Sequence, residues 1–270
     1  MKKFGLIGHP IEHSLSPALF RAAYGGRYTY DLIEGEDFGR SYDRFLDGYD
    51  GINVTAPFKG QAFLKADVKD PVAVKTGAAN VLIKSPDGVK ACNTDYFGVQ
   101  ISLLNASKGE KRIWRKALVV GCGGAGKAAA VAAGDLKLET VIMNRSAGTA
   151  EEFAESLPEY GFTVRPMEEF GKWFRQSDVI IYAVPSPIEA IGCLERADFM
   201  GGRLSAKAKI LLEANYRKPS FGEEVLSRMR QANPAARYVS GKGWLLHQAI
   251  TGYVTFTGEI PDEEAMRRIL

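Results

Sequence analysis

From Ala117 onward the chain alternates between short, uninterrupted apolar runs and longer stretches with helical spacing. Residues 117–120 (ALVV), 140–143 (TVIM), 178–184 (DVIIYAV) and 209–212 (KILL) are rich in β-branched positions and too short for helices. Such runs predict strands buried on both faces. Residues 162–164 and 238–239 carry weaker strand signals, and 127–134 and 149–157 read as helices between the runs. This alternation predicts an α/β architecture, a parallel sheet covered by helices on both sides.

The first hundred residues alternate less regularly. Residues 4–8 (FGLIG), 28–33 (YTYDLI), 51–55 (GINVT) and 80–84 (NVLIK) read as strands. Ser16-Pro17 predicts a helix start, as N-cap and first helical residue, with the helix running through Tyr24. A second helix is expected from Asp95, with Phe97, Ile101 and Leu104 on one face. The segment 108–116 (KGEKRIWRK) is charge-dense and without a period, and is read as a domain boundary. The last thirty residues read as helix, with Leu245, Ala249, Tyr253 and Phe256 forming its apolar face. Gln248, Thr251 and Thr255 form a polar stripe beside it, either a solvent face or the wall of a cleft. Tyr24, Tyr28 and Tyr30 are expected in the core.

Composition narrows the class. At 270 residues the chain suits about two domains. With 46% hydrophobic and 25% charged residues it is neither a disordered tail nor a membrane protein in balance. A net charge of +3, with the two signs interleaved, argues against nucleic-acid or membrane-surface partners. Cys92, Cys122 and Cys193 are far apart and lack CxxC spacing, which argues against a disulfide framework or a zinc site and favours a reducing compartment. His9 and His13 lack metal-ligand spacing, so no metal is expected. The apolar run at the N-terminus stops at Gly8-His9-Pro10, too short for a signal peptide, and no stretch approaches a membrane span. The expected location is cytoplasmic.

The strongest local signal is ALVVGCGGAGKAA, in which a predicted strand runs into Gly121-x-Gly123-x-x-Gly126 and an alanine-rich helix. In such a loop the first glycine permits the tight turn and the second lets a pyrophosphate approach the backbone. The third lets helix and strand pack closely, and the helix N-terminus, here Gly124 and Ala125, faces the phosphates. Glycine is abundant in this chain (29 residues), so the weight lies on the strand–turn–helix context rather than on the glycines alone. A site for NAD would carry Asp or Glu about 20 residues on, to accept from the ribose 2′-hydroxyl. That place holds Asn144-Arg145-Ser146. A guanidinium and a hydroxyl suit a 2′-phosphate, so NADP is the expected cofactor.

Several motifs then fall in one order: GHPIEHSLSP (8–17), GINVTAPFK (51–59), GAAN (77–80), CNTDYFG (92–98), the glycine loop, Asn144-Arg145-Ser146, and GKGWLLHQA (241–249). Together they resemble the shikimate dehydrogenase (shikimate/quinate dehydrogenase) family over nearly the whole chain. The resemblance implies an N-terminal α/β substrate domain, 1–107, completed by the returning segment 241–270, and an NADP-binding Rossmann domain with a doubly wound parallel sheet at 108–240. It implies NADP-dependent interconversion of 3-dehydroshikimate and shikimate in chorismate and aromatic amino acid biosynthesis. Ser14, Ser16, Thr55, Asn80, Tyr216 and Gln248 would hold the substrate, Lys59 and Asp95 would form the catalytic pair, and Gly241 would join the cofactor site. A monomer and a homodimer are both compatible with it.

The residue chemistry agrees. Oxidation of a hydroxyl needs a group that takes the proton as hydride leaves, and a lysine with a lowered pKa can serve. An aspartate beside it can orient the ammonium or relay the proton, although a carboxylate alone raises a lysine pKa. Taken singly, Lys59 is an ordinary exposed lysine, Asp95 an N-cap and Ser16 an N-cap. Five places depart from the family pattern: Phe20-Arg21, Val81, Tyr182-Ala183-Val184-Pro185, Trp244, and Thr149 where a second basic residue is common. A quinate or amino-shikimate dehydrogenase, or a non-catalytic nucleotide or metabolite sensor, are the alternative readings.

Overall fold

The computed structural model describes residues 2–107, 114–200 and 209–270. Most of the expected boundary segment, residues 108–113, lies outside the described residues. The chain forms two compact units, one of residues 1–97 and 246–270, the other of residues 98–245.

The elements of the first unit are β1 (Lys3–Gly8), α1 (Ser16–Tyr24), β2 (Thr29–Glu34), α2 (Phe38–Gly48), β3 (Gly51–Val54), α3 (Lys59–Lys65), β4 (Val68–Lys69), α4 (Pro71–Thr76), β5 (Val81–Ser85), β6 (Gly88–Cys92) and the start of α5 (Asp95–Ala106). Its sheet runs β2-β1-β3-β5-β6-β4, with β1, β2 and β3 parallel and β5 antiparallel to both neighbours. The sheet is therefore mixed. β5 falls on the apolar run 80–84 read as a strand, whereas β6, its partner in a hairpin, is not announced by the hydrophobic pattern. Its signal is Pro86-Asp87 between paired Ser85 and Gly88, with Gly88 at φ 103°, a left-handed turn position that favours glycine. After the turn Val89 and Ala91 are buried while Lys90 is exposed, a short half-buried alternation.

Alternate positions of β1 serve opposite faces. Ile7 joins Ile33, Phe45, Ile52, Val54 and Leu82 in one core. Phe4 on the other face stacks on Phe256 at 5.0 Å and packs on Phe20 at 5.3 Å. Tyr24 is buried as expected, and Tyr28 and Tyr30 ring the same aromatic cluster. The start of α1 corrects one detail: Leu15 is the capping position and its side chain caps nothing, while the Ser14 hydroxyl accepts from Ser16 N at 3.2 Å. Ser16 is thus already helical and not the N-cap.

The second unit holds the rest of α5, then β7 (Lys116–Val120), α6 (Gly124–Asp135), β8 (Glu139–Met143), α7 (Ala147–Glu155), β9 (Thr163–Val164), α8 (Phe170–Gln176), β10 (Val179–Tyr182), α9 (Glu189–Gly192), α10 (Arg196–Phe199), β11 (Ile210–Glu213), α11 (Glu223–Ala232), β12 (Arg237–Val239) and the first residues of α12 (Gly241–Thr257). The rest of α12 and α13 (Glu263–Arg267) belong to the first unit. The expected continuous terminal helix is broken at Gly258, which takes φ 77°. The sheet order β12-β11-β10-β7-β8-β9, parallel throughout, is the doubly wound 3-2-1-4-5-6 arrangement counted from β7. Each of its four central strands is apolar and buried, as the uninterrupted runs predict. The expected strand 178–184 is shorter at both ends. Asp178 lies before β10 with its carboxylate accepting from Arg115 N and Lys116 N, and the chain turns away after Tyr182.

Candidate active site

In the first unit the chain places Lys59 at the first position of α3, just after β3, and Asp95 at the first position of α5, just after β6. Their side chains meet: Lys59 Nζ donates to Asp95 Oδ2 at 2.6 Å, and the two side chains are only 16% and 9% exposed. Asp95 is fixed by the turn before it, where Asn93 Oδ1 accepts from Asp95 N at 3.2 Å. Asn93 in turn donates to Thr76 Oγ1 and Ala78 O, both at 3.0 Å, so its orientation is set by the end of α4. Of the two readings of Lys59, exposed lysine or member of a pair, the geometry gives the pair.

Asn80 is the hub of the neighbouring polar residues. Its amide donates to Thr94 Oγ1 at 3.0 Å and to Gln248 Oε1 at 3.1 Å, and its Oδ1 accepts from Thr94 N at 2.7 Å. Asn53 on β3 donates to Asn80 O at 3.2 Å and accepts from the Tyr30 hydroxyl at 2.7 Å. The α12 helix approaches closely because Gly252 faces Val81 and Asn53; a Cβ there would lie 3.3 Å from Val81 Cγ2. Of the polar stripe on α12, Gln248 alone turns to this network, while Thr251 and Thr255 donate to carbonyls one helical turn back, His247 O and Thr251 O. Ser14 donates to Ser16 Oγ at 3.1 Å, and Ser16 O accepts from the buried Tyr253 hydroxyl. Thr55 follows β3, its N–H donating to Ile7 O at 2.9 Å and its carbonyl accepting from Phe58 N at 3.0 Å. Thr94, Asn53 and Tyr30 are the network members that the sequence reading leaves out. Asn53 and Thr94 sit inside quoted motifs, but nothing local marks their partners, and Tyr30 reads as an ordinary core aromatic. His9 lies 3.5 Å from both Glu34 and Glu36, apart from this network.

The second unit holds the glycine loop, where the three glycines behave differently. Gly121 takes φ 101°. A Cβ on Gly126 would lie 1.9 Å from Gly121 O, so only glycine lets α6 seat on β7. Gly123 caps α6 with an ordinary extended backbone, and a Cβ there would meet no protein atom within 4 Å. That open space at a helix N-terminus, with Gly124 and Ala125 opening the helix, fits a pyrophosphate. Asn144 at the end of β8 ties itself to the loop, accepting from Cys122 N at 3.1 Å and donating to Ser146 O at 2.9 Å. Arg145 and Ser146 are exposed beside it. Burial pushes the Cys122 thiol up to about 11, so it stays neutral beside the glycine loop. Gly241 opens α12 against the turn after β11, where a Cβ would lie 2.5 Å from Ala214 O. Tyr216 lies on that turn, in the second unit, while the other expected substrate residues lie in the first. Among the described residues no cluster of metal-ligating side chains forms and no helix is long and apolar enough to cross a membrane.

A doubly wound sheet with a glycine loop and no ribose-binding carboxylate, joined to an α/β unit holding a buried lysine–aspartate pair, defines the class of dinucleotide-dependent oxidoreductases. Comparison with known proteins gives the family. Residues 6–82 match the family model of the shikimate dehydrogenase substrate binding domain, and residues 104–206 match that of shikimate / quinate 5-dehydrogenase. The chain is 31% identical to a Pyrococcus abyssi protein named shikimate dehydrogenase (NADP(+)), over 100% of this chain and 97% of that one. It is 33% identical to a Methanopyrus kandleri protein of the same name, over 97% and 92% of the two chains. Among solved structures, Mycobacterium tuberculosis shikimate dehydrogenase superposes with a TM-score of 0.81 at 28% identity, over 100% and 98% of the chains. The Thermus thermophilus enzyme in complex with NADP(H) and shikimate gives 0.76 at 27%, over the full length of both. The chain belongs to the shikimate dehydrogenase family.

Proposed function

We propose that this chain catalyses the NADP-dependent interconversion of 3-dehydroshikimate and shikimate. The observation that carries the reading is the 2.6 Å Lys59–Asp95 pair, largely buried and in the same unit as the Asn80–Gln248–Thr94 network. Lys59 and Asp95 together manage the carbinol proton, and Asn93 keeps Asp95 in register for it. Ser14, Ser16, Thr55, Asn80 and Gln248 bind the ring hydroxyls and carboxylate. Their short hydroxyl and amide groups match a polyhydroxylated carboxylate better than an apolar ligand.

Gly121, Gly123, Gly124, Ala125 and Gly126 would hold the pyrophosphate, Asn144, Arg145 and Ser146 the 2′-phosphate side, and Gly241 the far end of the dinucleotide. When bound, NADP supplies the hydride acceptor for the carbinol carbon, or the donor in reverse. In functional terms residues 1–107 with 241–270 form the substrate domain and 108–240 the NADP domain. A cytoplasmic location is part of the same reading, motivated by the sparse, unpaired cysteines.

Steady-state reduction of NADP, with shikimate and quinate supplied in parallel, tests the reading. Turnover with shikimate is expected. Reduction with quinate alone moves the substrate assignment, and no reduction with either overturns it.

A further inference from the structure

The carboxyl ends of the central strands in the second unit are tied together by close backbone approaches. A Cβ on Gly121 would lie 3.2 Å from Ala183 O, which seats the glycine loop against the segment following β10. Gly241 seats the start of α12 against Ala214 and Asn215, the turn following β11. Asn215 joins these two pairs. Its Nδ2 donates to Pro185 O at 2.7 Å, while its Oδ1 accepts from Arg217 N at 3.0 Å and Lys218 N at 3.1 Å. The segment 183–188 is also held by Tyr182, whose ring is fully buried. The Tyr182 hydroxyl donates to Ser186 O at 2.7 Å and accepts from Ile188 N at 3.1 Å.

The strand order reverses between β7 and β10, and in this fold the ligand crevice opens at that reversal. Arg145, at the end of β8, lies on the other side of β7. A dinucleotide that has its 2′-phosphate on the β8 side and its pyrophosphate at α6 must extend its nicotinamide half toward β10. Segment 183–188 is the wall it meets there.

On the dinucleotide reading above, we infer that Asn215 and Tyr182 are positioning residues for the nicotinamide half of the cofactor. They act through segment 183–188 and touch no reacting atom. Each removes conformational freedom from that wall before binding, so the bound complex does not bear the ordering entropy. The bland reading of Asn215 is that it only closes its own turn, and the two ends of its side chain separate these roles. Asn215→Asp keeps the acceptor for Arg217 N and Lys218 N and loses the donor to Pro185 O. Tyr182→Phe keeps the buried ring, loses both hydroxyl bonds, and adds no charge.

The test is titration of parent and both variants with NADP and with adenosine 2′,5′-bisphosphate, the fragment that carries the 2′-phosphate and lacks nicotinamide. Each variant is expected to weaken NADP about three- to tenfold, the worth of one net hydrogen bond. The fragment should bind all three proteins alike, and in turnover KM for NADP should rise while KM for shikimate holds. Parent-like NADP affinity in both variants overturns the inference, as does an equal loss of fragment and cofactor. A parent that binds neither ligand instead removes the dinucleotide reading itself.

Discussion

At the scale of single residues, Lys59 and Arg145 carry opposite kinds of evidence. Lys59 is drawn out of solvent by a carboxylate 36 positions away in sequence, which is uncommon for a lysine without a task. Lys59→Ala is expected to lower kcat by about 10²–10⁴, the usual worth of a positioned acid–base group, with an unchanged circular dichroism spectrum. Parent-like kcat would remove Lys59 from the mechanism. Arg145 is exposed, and its proposed role rests on what it replaces, a ribose-binding carboxylate. A charge-assisted contact to a 2′-phosphate is worth about 1.5–3 kcal/mol, or roughly 10–150-fold in affinity. Thr149 supplies no second positive charge, so Arg145→Ala should weaken NADP by the lower part of that range and leave NAD nearly unchanged. Dissociation constants for both cofactors, in parent and variant, decide it.

At the scale of elements, the glycine loop separates a residue that packing requires from one that, on the proposed function, faces the pyrophosphate. Gly126→Ala would drive a methyl group into Gly121 O and push α6 off β7. Overpacking of this kind costs about 1–3 kcal/mol, and a fall in Tm of several degrees is expected. Gly123→Ala has ordinary backbone angles and no protein atom near the added carbon. Its Tm should match the parent while NADP affinity falls, because the methyl group occupies the pyrophosphate's path. Thermal melts with and without NADP check both variants, and a Gly123→Ala protein that binds NADP normally would place the phosphates elsewhere. The strand–turn–helix pattern around the loop is legible from sequence because turn residues and apolar periods are local signals. β5 is legible from its apolar run at 80–84, its hairpin partner β6 only from Pro86-Asp87-Gly88, and the two-residue β4 has no local signal at all.

At the scale of the whole molecule, one buried charge makes stability depend on pH. Lys209 at the foot of β11 is 2% exposed and donates to Phe174 O at 2.6 Å and Ser177 O at 2.7 Å. Burial lowers its pKa to about 8, against the opposing pull of Asp178 and Asp198. Between about pH 8 and the ordinary lysine value the unfolded chain holds the proton more often than the folded one, so this group makes stability rise with pH. The buried thiols of Cys92 and Cys122, raised to about 12 and 11, act in the opposite sense above their ordinary values, which confines the useful window to the weakly alkaline side. Urea unfolding of the second unit, followed by tryptophan fluorescence because Trp114, Trp173 and Trp244 all lie within it, should gain about 1 kcal/mol from pH 7.5 to 9 relative to Lys209→Met. Parallel pH profiles for the two proteins would show that Lys209 keeps an ordinary pKa. The sequence by itself determined the alternating elements, the glycine loop and the missing ribose carboxylate, since each is a pattern within about thirty neighbouring residues. Tertiary structure alone decided that Lys59 meets Asp95, that Asn80 meets Gln248 across 168 positions, and that Asn215 braces Pro185. A hydrogen bond needs two groups within about 3 Å, and no spacing along the chain encodes which distant segments the sheet will bring that close.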